Sequence, residues 1–98
     1  MENIARHLIV SFHGASQAFR FETLFQADAR RCSGWVRDMD DGRLEVLLEG
    51  ERGSVEGLIA WLHVGPIGQR VLAVEIRPRR TEGLRGFQAG RPAGQLVG

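Results

Sequence analysis

Apolar residues in this chain switch between a period of two and a period of about 3.6, and the order of those switches constrains the fold more than any other feature. In His7-Leu-Ile-Val-Ser-Phe-His13, Leu8, Val10 and Phe12 share one face under a period of two, the spacing of a strand. Gly14 to Ala18 are small or polar and suit a loop. From Phe19 to Arg31 the period lengthens: Phe21, Leu24, Phe25 and Cys32 fall at helical spacings with Ala27 alongside, and arginines in the last turn complement the helix dipole. Asp28 lies close to that stripe and is its weak point. Trp35 and Val36 open a second extended segment, and Asp40-Asp41-Gly42 supplies turn chemistry. Leu44, Val46 and Leu48 then alternate with Arg43, Glu45 and Glu49, which predicts a hairpin. After Gly50, Val55, Leu58, Ile59 and Leu62 mark one face of a second helix, which Gly65-Pro66 stops. Arg70 to Ile76 reads as a fourth strand, Pro78 to Gly86 as an irregular loop, and Phe87 to Ala89 as a candidate short fifth strand.

This order, strand, helix, strand, strand, helix, strand, predicts an α+β chain with a ferredoxin-like βαββαβ arrangement, in which two helices cover one face of an antiparallel sheet. A length of 98 residues suits one core. We read residues 1–89 as the domain and the glycine-rich residues 90–98 as a flexible C-terminal tail. The aromatic residues Trp35, Phe21, Phe25 and Trp61 lie on or beside apolar faces and are expected in the core.

Several function classes are disfavoured by the residues present. The first residues lack the apolar length and the small-residue cleavage site of a signal peptide, and no apolar run is long enough for a membrane helix, so a cytoplasmic location and no membrane partner are expected. Cys32 is the single cysteine, which rules out an internal disulfide and a paired-thiolate metal site. His7, His13 and His63 are far apart in sequence and show no metal spacing, so no metal is expected. A net charge of +1 offers little field for nucleic acid, and the Arg77-Pro78-Arg79-Arg80 run reads as a solvated loop. The fold order also occurs in RNA-binding domains, but the segment Arg43 to Glu49 carries no aromatic side chain to stack a base, so no nucleic acid partner is expected.

One run carries chemistry. Gly34-Trp35-Val36-Arg37-Asp38-Met39-Asp40-Asp41-Gly42 follows a Phe19-Arg20 pair, and Glu45, Gly50, Val55, Trp61-Leu62, Gly65-Pro66 and Val71 continue the pattern. From about His7 to Phe87 the chain resembles the acylphosphatase family, in which a Gly-Trp-Val-Arg-Asn-x-x-Asp-Gly run follows a phosphate-binding loop ending in Phe-Arg. The resemblance implies hydrolysis of the carboxyl-phosphate bond of acyl phosphates by water, without metal or cofactor. Carried over by position, it implies phosphate binding by Ala15, Ser16, Gln17, Ala18, Phe19 and Arg20, and catalytic roles for Arg20 and Asp38. The implied partner is a small acyl phosphate or an inorganic anion, and the expected state is a monomer.

Two departures qualify the activity. Family members resemble Gly-x-Val-Gln-Gly-Val-x-Phe-Arg where this chain reads Phe12-His13-Gly14-Ala15-Ser16-Gln17-Ala18-Phe19-Arg20, so that only Phe19 and Arg20 match. Non-glycine residues restrict the backbone there, although Gly14 restores part of the freedom and the Ser16 hydroxyl can donate. Asp38 stands where the family has asparagine. An ionised aspartate cannot donate a hydrogen bond, and two like charges about 4 Å apart repel by roughly 4 kcal/mol at an effective dielectric near 20. Arg20 and Arg37 are the expected compensating charges. The sequence therefore predicts a weak or impaired acylphosphatase-like hydrolase; the alternative is a noncatalytic module of the same fold that retains anion binding.

Overall fold

A computed structural model describes residues 2–90 of the chain, so that the tail expected at residues 90–98 lies, apart from Gly90, outside the described residues. The elements are β1 (Asn3–His13), α1 (Ser16–Ala29), β2 (Ser33–Asp38), β3 (Leu44–Glu51), α2 (Arg52–Val64), β4 (Arg70–Arg79) and β5 (Phe87–Ala89). The sheet order is β4-β1-β3-β2-β5. β1 to β4 pair antiparallel as expected, and the short fifth strand forms too, joining the outer edge of β2 in parallel. The architecture is the ferredoxin-like α+β sandwich.

The helix-facing core is built from alternate strand positions. Ile4, Leu8 and Val10 of β1, Val36 of β2, and Leu44, Val46 and Leu48 of β3 form one buried cluster with residues of both helices. α2 contributes Val55, Leu58 and Leu62, as its periodicity predicts, and ends where the Gly65 N–H bonds to Trp61 O at 2.8 Å. No described helix is long and apolar enough to cross a membrane.

α1 departs from its expected form. It starts at Ser16 rather than Phe19, which leaves only Gly14 and Ala15 as the loop, and it ends at Ala29, before the arginines. The buried stripe is Phe19, Thr23 and Ala27, while Phe21 and Phe25 are 69% and 65% exposed. Thr23 can sit in that stripe because its hydroxyl donates to Phe19 O at 2.8 Å, leaving no unmet polar group. Asp28 is solvent-exposed and is not a weak point. Cys32 is buried just beyond the helix, and burial pushes its thiol pKa up against the opposing charge of Arg30.

β4 is longer than predicted. Arg77 and Arg79 pair with His7 and Ala5 of β1, so the arginine run is mostly strand and not loop. β4 is an edge strand, where Pro78 is tolerated without a ladder N–H.

The face opposite the helices is also covered, which the alternation in β3 concealed. Trp35 and Leu47 are buried there as a cross-strand pair, and Glu45 and Glu49, expected in water, are each 5% exposed. Both carboxylates are satisfied. Glu49 accepts backbone N–H bonds from Glu82 at 2.8 Å, Gly83 at 2.8 Å and Leu84 at 3.2 Å, which straps the segment between β4 and β5 across the sheet. Glu45 accepts from His7 Nε2 at 2.7 Å and from Arg37 Nε at 2.5 Å. Burial pushes the Glu45 carboxyl up, but the hydrogen bonds and charges of His7 and Arg37 together outweigh it and hold the pKa below the usual range.

Two predictions follow from this packing. Gly34 has φ of +133°, and a Cβ there would fall 1.8 Å from the backbone oxygen of Leu47. Gly34→Ala is expected to cost at least about 2 kcal/mol in chemical unfolding. Because Glu45 titrates lower in the folded chain than in the unfolded one, its contribution is complete above the ordinary glutamate range and is withdrawn as pH falls through the lowered value. Unfolding midpoints measured from about pH 7 to about pH 3 should therefore fall less steeply for Glu45→Gln than for wild type, and at neutral pH that variant should lose about 2 kcal/mol.

Candidate active site

The site is assembled where β1 hands over to α1, beside the far end of β2. Gly14 makes the turn with φ of +133°, and the carboxamide of Gln69 packs against it: a Cβ at Gly14 would lie 1.9 Å from Gln69 Oε1. A side chain at position 14 would displace that carboxamide. Ala15 then caps α1 with extended backbone and provides no side-chain acceptor. The first-turn N–H groups of Ser16, Gln17 and Ala18 therefore face outward at the positive end of the helix, with no acidic residue in that turn. The Phe19 N–H differs, because it bonds to Ala15 O at 3.2 Å within the turn.

Phe19 orients this helix head. Its fully buried ring makes an edge contact with Trp61, at a centroid distance of 6.0 Å, and a tilted contact with Phe12 at 4.8 Å. Gly65 lies against the same ring: a Cβ there would fall 3.3 Å from Phe19 Cε2. With Phe19 locked inward, the next residue, Arg20, projects toward the end of β2.

There its Nη1 donates to Oδ2 of Asp38 in an ion pair. Asp38 is the last residue of β2 and pairs with Leu44. The hairpin beyond it is closed by Met39 N–H to Arg43 O at 2.8 Å and by Asp41, whose carboxylate accepts from Arg43 N at 3.1 Å and Arg43 Nε at 2.8 Å. Those bonds hold the Asp41 carboxyl below the usual carboxylate range. The Arg20 and Asp38 side chains are 28% and 42% exposed, so the pair sits in reach of solvent and of a small solute.

The arrangement refines the expected charge balance. Of the two arginines expected to compensate Asp38, only Arg20 reaches its carboxylate. Arg37 turns to the other face of the sheet and binds Glu45, touching Asp38 only at its backbone oxygen, 3.3 Å away. Adjacent strand residues point to opposite faces, which is why Arg37 and Asp38 separate. Ala15 to Ala18, Arg20 and Asp38 are thus grouped at one edge of the molecule, with Phe19 beneath them as a support. Gln69 was not legible as part of this group. Between Gly68 and Arg70 it carries no periodic or motif signal, and only the chain path brings it to Gly14.

Chemically, the group offers outward N–H donors, one guanidinium and one carboxylate, a set suited to holding a small oxyanion next to a water molecule. Known proteins share this framework. The model of the acylphosphatase family matches residues 12–89. An acylphosphatase from a Nostoc species is 38% identical over 88 residues, covering 90% of this chain and 87% of its own. The crystal structure of acylphosphatase from Bacillus subtilis superposes with a TM-score of 0.83 at 27% identity, covering 89% of this chain and 98% of that one. The structure of an acylphosphatase from Coxiella burnetii gives 0.84 at 27% identity, with coverage of 90% and 93%. Together with the fold and the Gly34 to Gly42 run, these matches show that the chain belongs to the acylphosphatase family.

Proposed function

We propose that this chain hydrolyses the carboxyl-phosphate bond of acyl phosphates slowly, with Arg20 as the phosphate-binding and charge-neutralising residue and Asp38 as the residue that limits the rate. The observation that carries this reading is the Arg20–Asp38 ion pair beside the uncapped head of α1. The N–H groups of Ser16, Gln17 and Ala18 hold phosphate oxygens, and Arg20 grips a further oxygen with donors not engaged by Asp38.

The reaction needs no cofactor on this scheme. The oxygen of water forms a bond to phosphorus while the bond from phosphorus to the carboxyl oxygen breaks, and the electron pair leaves with the carboxylate. The two protons of water remain on the released phosphate, the first passing through Asp38 or directly to a phosphate oxygen. The departing carboxylate is a weak base and requires no general acid. What the protein supplies is position and positive charge where negative charge gathers.

Asp38 acts in two opposing ways. Its carboxylate can hold the attacking water and take its proton, but it also adds a negative charge beside an anionic substrate and occupies part of Arg20. Partial exposure of both side chains weakens that repulsion through further solvent screening, so the penalty falls below the roughly 4 kcal/mol expected at an effective dielectric near 20. A site with this balance favours low turnover. The noncatalytic alternative rests on the same ion pair, with Arg20 so far engaged that anions bind without reacting.

Purified protein is expected to hydrolyse benzoyl phosphate above the buffer blank, and Arg20→Gln should lower kcat/KM by about a hundredfold or more. A wild-type rate equal to the blank, with phosphate still shifting the amide resonances of residues 15–20, would establish the binding module instead. Asp38→Asn separates the two effects of the carboxylate. If repulsion dominates, kcat/KM rises by about tenfold, with KM falling; a loss of kcat at unchanged KM would make Asp38 the working base.

A further inference from the structure

Among the described residues, one buried side-chain oxygen or nitrogen has no hydrogen-bond partner, and it lies at the site: Oε1 of Gln69. Thr23, Glu45 and Glu49, buried elsewhere in the fold, each have theirs. The chain path brings Gln69 to this place. Arg70 pairs with His13, the last residue of β1, so the residue before Arg70 comes level with Gly14. The Gln69 N–H bonds to Pro66 O at 3.1 Å and sets the turn from which its side chain leaves. The bare Cα of Gly14 makes the seat, since a Cβ there would fall 1.9 Å from Oε1, 2.6 Å from Cδ and 3.1 Å from Nε2.

Those distances give the carboxamide a direction. Its oxygen is the atom pressed on the turn, and its nitrogen is the atom farther from it. The free fold gains nothing from this arrangement, because an acceptor held away from water without a donor is destabilising. A half-turn about Cγ–Cδ would not relieve it: the two ends have the same shape, and the seat would then bury an unpaired donor. The side chain is suited to a ligand that arrives, and the donor end is the one left to meet it. The family pattern has valine and glutamine where this chain has Gly14 and Ala15. Position 15 thus carries no carboxamide here, and Gln69 brings one to the same turn from beyond α2.

We infer that Gln69 is a further anion-binding residue of this chain, whose Nε2 donates to an oxygen of the bound phosphoryl group. The inference rests on the reading of the α1 head as the anion site. Gln69 adds a neutral donor on the Gly14 side to the first-turn N–H groups and to Arg20. Such a donor counts most where the arginine is shared with a carboxylate, as Arg20 is with Asp38. Its bond to a charged oxygen outweighs the unpaired Oε1 only when the anion is present, so Gln69 lowers the stability of the free protein and raises its affinity for phosphate.

Titration with inorganic phosphate, followed through the amide resonances of residues 15–20, is compared with chemical unfolding on wild type, Gln69→Met and Gln69→Glu. Gln69→Met keeps the length of the side chain and removes its hydrogen-bonding groups. Its Kd for phosphate is expected to rise about tenfold while the unfolding midpoint stays level or increases. Gln69→Glu keeps an oxygen on the turn but puts a carboxylate where the donor was, and should raise Kd by about a hundredfold. With benzoyl phosphate, Gln69→Met should show KM raised about tenfold and kcat within about twofold of wild type. Wild-type affinity in either variant, or affinity and stability lost together in Gln69→Met, would overturn the inference, the latter marking a packing role. Weaker phosphate binding by Gln69→Met supports it even where wild type hydrolyses nothing. Hydrolysis at unchanged KM in Gln69→Met rejects it and leaves the hydrolytic reading standing, whereas a wild type whose resonances do not move with phosphate rejects the anion site as well.

Discussion

The burial of Phe19 between Phe12, Trp61 and Gly65 is the contact on which the geometry of the site depends. A helix has two rigid-body freedoms that matter for a residue at its head, its height above the sheet and its rotation about its own axis. One large ring locked from three sides removes both. Three successive residues then receive three different environments from a single rotation: Phe19 faces the core, Arg20 faces the end of β2, and Phe21 faces solvent. The position of the cationic group is thus a consequence of core packing, and a change at Trp61 of α2 or at Gly65 just beyond it reaches Arg20 through that ring.

The other partner of the site is fixed from the opposite side of the sheet. β3 is buried from Leu44 to Glu49, with apolar residues against the helices and a polar network on the far face. Glu45 ties β1 to β2 through His7 and Arg37, and Glu49 ties the strand to the 82–84 segment. Removing either carboxylate would leave donors in a poorly solvated place without acceptors, which costs more than the net worth of each bond. The network therefore holds the strand that ends in Asp38, and it also explains why Arg37, though adjacent to Asp38 in sequence, is unavailable to it.

How far the sequence discloses this can be traced residue by residue. α2 and most of each strand were legible because each has one dominant apolar set at one period, whereas the polar Arg77 to Arg79 end of β4 was not. α1 was not, because two sets compete there: Phe21, Leu24 and Phe25 are the more hydrophobic, but Phe19, Thr23 and Ala27 are the ones that α2 and the sheet can accommodate. Local periodicity cannot weigh a threonine that satisfies its own hydroxyl against a phenylalanine left in water. The second covered face escaped for a similar reason, since Glu45 and Glu49 look solvated until their partners, distant in sequence, are known. The fold thus follows from local pattern, while Arg20 and Asp38 were found through family resemblance and their contact required the structure.

That contact bears on why an aspartate is tolerable at a site with the character of an anion cradle. Unpaired, Asp38 would repel an incoming phosphate, and Arg20 would remain a charge without a partner at the edge of the sheet. Paired, the two form a nearly neutral unit beside helix N–H groups that keep their donor capacity. Being partly solvated, such a pair adds little to stability, so its weight falls on the electrostatics of the site. A phosphate approaching the pair competes with a carboxylate already in place, and the guanidinium, with five N–H donors in a fixed plane, is the group able to serve both at once. A lysine at position 20 could still bridge two anions with its three N–H donors, but its point charge could grip neither of them bidentately.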